Sequence, residues 1–175
     1  MDVLRERLME VVLNPGHVDL PMLAAEALAR GLDSPSLREV AWLGRTDPTL
    51  VLFDRALDEL GLAWPTGDEA HLYAARRICA RLLDGDPDAS AAVGAAEDVY
   101  HHLCGAAAEG ARTHDHLLFL HVFLEWDAAM ARGVPPTPEE ERSVVARVRE
   151  LAGRLAREPL DASTPGHAEG AGERL

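Results

Sequence analysis

Lysine is missing altogether, so all 17 basic residues are arginines. Without an ε-amine the chain forms no Schiff base and cannot supply the lysine of a phosphate-binding loop. Neither a glycine-rich phosphate loop nor a nucleophile elbow occurs in the sequence. Aromatic residues are scarce at 5%. No segment alternates with period two for long enough to read as a strand, and β-branched residues are few, which argues against a sheet. Long uncharged runs are also lacking. The nearly uncharged stretch Leu117 to Leu124 contains His121 and falls far short of the roughly 20 apolar residues of a membrane span. The first fourteen residues carry Asp2, Arg5, Glu6, Arg7 and Glu10, so no signal-peptide core is expected there. Only two cysteines are present, Cys79 and Cys104, both within predicted helices. They read as small buried hydrophobes rather than a bridge, which fits a reducing cytoplasm.

What is present is enough for one core. A chain of 175 residues with 47% hydrophobic and 27% charged side chains has the composition of a globular protein near the size of one ordinary domain. Its 30 acidic residues outnumber the basic ones and leave a formal net charge of -13. That field repels nucleic acid and anionic membranes and attracts a basic macromolecule.

Local signals point to helix throughout. A capping side chain followed by proline occurs at Ser34-Pro35, Asp47-Pro48, Asp86-Pro87 and Thr137-Pro138. Proline suits the first turn of a helix because its φ is preset and its missing N–H is not needed there. Thr137 with Glu140, and Thr66 with Glu69, have the spacing of capping boxes. Gly31, Gly44, Gly61, Gly85 and Gly133 each follow a run with apolar residues three or four apart, where glycine can end a helix in the left-handed conformation. These signals predict eight helices near residues 2–13, 19–31, 35–43, 48–60, 67–84, 87–109, 114–132 and 138–157. The expected fold is all-α: a single compact multi-helix domain over 1–158 and a flexible C-terminal tail over 159–175, small, polar and without an aromatic anchor.

The run from Gly31 to Leu43, GLDSPSLREVAWL, with Phe53, Ala56, Leu57, Glu59, Leu60 and Gly61 after it, resembles a family of small helical actinobacterial proteins without established function. The resemblance covers about a third of the chain, and Trp42 stands where a small residue would be expected. It implies an all-α, single-domain protein and no catalytic residue.

Three constellations are candidates for chemistry. Glu97, His101 and Cys104 are spaced by four and three along one helix face, and His121 and Glu125 by four along another. If their helices form a hairpin turning near Ala111 to Thr113, the two histidines stand within roughly a helical turn of the same height. Imidazole, carboxylate and thiolate suit zinc or another transition-metal ion, although the spacing matches no short metalloenzyme motif. The bland reading makes His114, His121, Glu125 and Arg132 the wet stripe of an amphipathic helix. The second constellation is a helix-turn-helix over Ser36 to Gly61, whose recognition helix would carry Asp47, Asp54, Asp58 and Glu59 against Arg55 alone; that charge argues against DNA. Arg76, Arg77 and Arg81 near His71 could clamp an anion, or form a solvated face balanced by Asp68, Glu69 and Asp84.

The sequence therefore points first to a non-catalytic cytoplasmic protein, of immunity or regulatory type, that binds a basic protein through an acidic helical surface and needs no cofactor. It binds neither nucleic acid nor membrane in this reading. The alternative is a metal-dependent enzyme or metal-binding protein built on Glu97, His101, Cys104, His121 and Glu125.

Overall fold

A computed structural model of the chain describes residues 3–44, 48–108 and 116–157. Among the described residues there are eight helices, α1 (Val3–Leu13), α2 (Leu20–Ala29), α3 (Pro35–Trp42), α4 (Leu50–Glu59), α5 (Gly67–Asp84), α6 (Ala89–Ala108), α7 (His116–Ala131) and α8 (Pro138–Arg157). The fold is all-α, with no strand among the described residues. Asp47, the turn expected near Ala111 to Thr113, His114 and the tail over 159–175 lie outside them.

Most of the punctuation read from the sequence is in place. Ser34 caps α3, its Oγ accepting from the Leu37 N–H at 3.2 Å with Pro35 in the first turn. Both capping boxes close. The Thr66 N–H donates to Glu69 Oε2 at 2.9 Å, and the Thr137 N–H donates to Glu140 Oε2 at 2.7 Å. Gly31, Gly61 and Gly133 take φ values of +88°, +65° and +71°, which a side chain would oppose. α8 begins with Glu139, Glu140 and Glu141 and ends with Arg154 and Arg157, each charge set against the opposite end of the helix dipole.

Two helix starts differ from expectation. α6 begins at Ala89, because Asp88 rather than Asp86 supplies the capping oxygen, its Oδ1 accepting from the Ala91 N–H at 2.8 Å. α4 begins at Leu50. Thr49 already has helical angles and its carbonyl accepts from the Phe53 N–H at 2.9 Å, so Pro48 precedes the helix instead of opening its first turn. Gly85 ends α5 without a positive φ. A further cap went unread: Asp19 Oδ1 accepts from the Met22 N–H at 3.1 Å, with Pro21 just inside α2.

The described residues form two compact units, one of residues 3–44, 48–75 and 101–108 and the other of 76–100 and 116–157. In the first, α2 packs on α3 and α3 on α4, with α1 against α2. Its core joins Leu4, Leu8 and Val11 of α1, Leu23, Ala24 and Ala27 of α2, Leu37 and Val40 of α3, and Phe53, Ala56 and Leu57 of α4. Their three- and four-residue spacing puts each set on a single helix face. Trp64 lays its ring against Phe53, 5.7 Å between centroids, and its Nε1 donates to Asp54. In the second unit α7 packs on α8, burying Phe119 and Val122 from one helix and Val148, Leu151, Ala152 and Leu155 from the other. Arg149 also spans this unit, donating to the carbonyls of Leu83 at 3.0 Å and Gly85 at 3.2 Å. Those carbonyls lie at the C-terminal end of α5, where a cation is favoured.

Candidate functional site

His121 and Glu125 do come together, one turn apart on α7, with His121 Nδ1 at 3.1 Å from Glu125 Oε1. Arg147 of α8 reaches both, donating to Glu125 Oε2 and lying 3.3 Å from His121 Nδ1. That nitrogen can donate to the carboxylate or accept from the guanidinium, but not both at once. The carboxylate therefore already has a cation, and both partners are more than half exposed. On α6, Glu97 and Cys104 are half-buried and His101 is exposed. Among the described residues no three His, Cys, Asp or Glu side chains gather as a metal-binding group.

On the helix pair of Ser36 to Gly61, two of the acidic residues, Asp54 and Glu59, have internal partners. Asp54 accepts from Trp64, and Glu59 turns back onto the start of α3. Of the arginine cluster, Arg77 and Arg81 are exposed while Arg76 is half-buried, with its Nε making no hydrogen bond among the described residues. Cys79 lies one turn from Arg76; burial pushes its thiol up to about 12, which makes it a poor nucleophile.

A histidine pair that the spacing argument passed over joins α5 to α6. His71 Nδ1 lies 3.2 Å from His102 Nδ1, with the ring centroids 5.5 Å apart and the planes at 52°. The rings thus meet edge to edge through their Nδ1 atoms instead of stacking. Gly105, one turn beyond His102, makes room for this. A Cβ built there would stand 2.5 to 2.7 Å from three atoms of the His71 ring. A glycine inside a helix costs about 0.5–1 kcal/mol against alanine, and here it allows the imidazole to lie on the helix backbone.

The other feature is apolar. Trp42 at the end of α3 is 90% exposed, Val51 72%, Met22 59% and Leu50 57%. Two hollows adjoin at Asp19 and Pro21. One, of about 370 Å³, is lined in part by Val11, Leu20, Leu50 and Val51; the other, of about 260 Å³, by Met22, Ala25, Ala41 and Leu43. Trp42 stands between two of the lining residues in sequence. Asp19 is the one charged residue among the described lining of either hollow. An indole left almost wholly in water beside other exposed apolar side chains is the kind of patch that marks an interaction surface.

His102 was legible only as a member of a His-His dipeptide, and Glu59 only as one more acidic residue, because both act through contacts distant in sequence. The signal available for the apolar patch was Trp42, out of pattern in an otherwise regular helix. Comparison with known proteins returns no matching family model, no matching curated protein and no matching solved structure.

Proposed function

We propose that the protein is a non-catalytic helical binding protein that takes a basic protein partner on the face around Trp42. The single observation that carries this reading is the exposed indole of Trp42, whose chain neighbours Ala41 and Leu43 line the second of two adjoining hollows. Large aromatic side chains supply much of the energy of protein interfaces when a partner desolvates them. Charge supplies the other half of the argument. The net charge of -13 draws in a basic partner, and the described lining of the hollows offers a carboxylate and no cation. Nearby Arg38 does not oppose this, since Asp33 engages its guanidinium through both carboxylate oxygens. Nucleic acid is disfavoured by the same field.

The face is tested by affinity capture from the source cells with wild-type chain and with Trp42→Ser, followed by reassembly of the captured pair from purified components. The expected partner is basic, binds the wild-type chain less tightly as salt rises, and loses affinity with Trp42→Ser. A partner that binds both chains equally, or an acidic one, would overturn the assignment of the face.

A further inference from the structure

We infer that the outer face of α7 is a self-association surface, on which two copies of this chain pair antiparallel about a two-fold axis. This inference does not depend on the Trp42 face. It starts from a stripe of Leu117, His121, Leu124, Ala128 and Ala131, spaced alternately by four and three. That is the heptad spacing of a helix seam. All five are exposed, Leu117 by 56% and Leu124 by 50%. α7 already buries Phe119 and Val122 on its other side. A helix that serves one core alone carries polar residues on its outward face, whereas this one carries two leucines and two alanines there.

Size and charge along the stripe identify a second copy as the occupant. The leucines stand in the first half of the stripe and its middle, the alanines in the second half. An antiparallel pair in heptad register sets Leu117 beside the partner's Ala128, so large side chains fill the space that small ones leave. A parallel pair would crowd leucine on leucine at one end, leave a gap at the other and align the two helix dipoles unfavourably. The charges follow the same symmetry. Glu125 lies on one flank near the middle of the helix and is already engaged by Arg147 of α8. A two-fold axis there brings this compensated pair beside its mate, so neither carboxylate is desolvated without a cation. On the other flank His116 and Asp127 stand towards opposite ends of the helix, and antiparallel pairing brings His116 of each copy near the partner's Asp127. At 1.5 Å per residue the 16-residue helix offers a seam about 24 Å long, which falls below the standard interface size. The pair is therefore reversible and concentration-dependent.

The test is sedimentation equilibrium of tag-free full-length protein over a concentration series. The mass should rise from one chain of 18.9 kDa towards twice that value. Added NaCl should tighten the pair, because it screens the net charge of -13 on each copy while Glu125 in the seam keeps its own cation. Partner binding at the Trp42 face has the opposite salt dependence, so the two surfaces are separable. Leu117→Gln and Leu124→Gln should each weaken the pair about tenfold or more, since a two-fold interface loses the leucine twice. Ala128→Gln should weaken it by crowding the partner's Leu117, whereas Trp42→Ser and Met22→Gln should leave it unchanged. Circular dichroism should show wild-type helix in each variant. Orientation has its own readout: chains carrying Leu117→Cys, mixed with chains carrying Ala128→Cys and oxidised in air, should join position 117 to position 128 on peptide mapping. A single-chain mass up to about 1 mM, the weak end of specific association, would overturn the inference. So would self-association that ignores the three α7 substitutions or is lost with Trp42→Ser, and so would bonds that join 117 to 117.

Discussion

The Glu59 carboxylate at the end of α4 closes the start of α3: Oε1 accepts from Ser36 Oγ at 2.7 Å, and Oε2 accepts from the Ser36 backbone N–H at 3.0 Å. One side chain thus satisfies backbone and side-chain donors at the positive end of a helix 23 residues earlier. The Ser36 side-chain bond, and after it the Ser36 backbone bond, hold the Glu59 carboxyl below its ordinary value. A carboxylate so depressed stabilises the fold above the unfolded-state value and loses that contribution as pH falls through the folded-state value. Glu59→Gln should therefore melt below wild type at neutral pH, and the difference should shrink as the solution is acidified. Melting curves across the acid range check this, and a difference independent of pH would contradict it.

Ser34 is 4% exposed and caps α3, so Ser34→Ala leaves an amide unsatisfied in a buried setting. Loss of such a cap costs typically about 1 kcal/mol. Denaturant titration should show that loss, with Ser34→Gly less damaging than alanine.

Phe53 is wholly buried where α1, α2, α3 and α4 share one core. Phe53→Ala should destabilise the protein by about 3–5 kcal/mol, the transfer term plus the cavity left behind. Trp64 emission should shift in the same variant, since its ring loses the neighbour 5.7 Å away.

The two cysteines should separate under a thiol reagent. Cys79 is 1% exposed and its thiol is pushed up by burial, whereas Cys104 is half-buried. Native protein at pH 8 should label at Cys104 first, with Cys79 reacting only on unfolding. Peptide mass mapping after timed alkylation reads the order, and equal rates would contradict the burial of Cys79.

The helices were legible because their information is local. Ser34 with Pro35, Thr66 with Glu69 and Thr137 with Glu140 each act within one turn, and Gly31, Gly61 and Gly133 stop helices by their own backbone freedom. Asp88 was misread for Asp86 because two carboxylates flank Pro87 and either could have capped. The long-range contacts were less legible. Nothing near His102 in sequence announces His71, 31 residues away, and nothing near Ser36 announces Glu59; only the tertiary fold juxtaposes them. The spacing of four puts His121 and Glu125 on one face of α7, but Arg147, which reaches both, comes from α8.

The proposed binding face is tested most directly through the light emitted by Trp42 itself. In a chain carrying Trp64→Phe and Trp126→Phe, Trp42 is the sole indole, 90% exposed and open to acrylamide. Titration with the basic partner should shift its emission to the blue and protect it from quenching, and added salt should reverse both changes. An indole that stays red-shifted and fully quenched when the partner is saturating would show that binding occurs elsewhere.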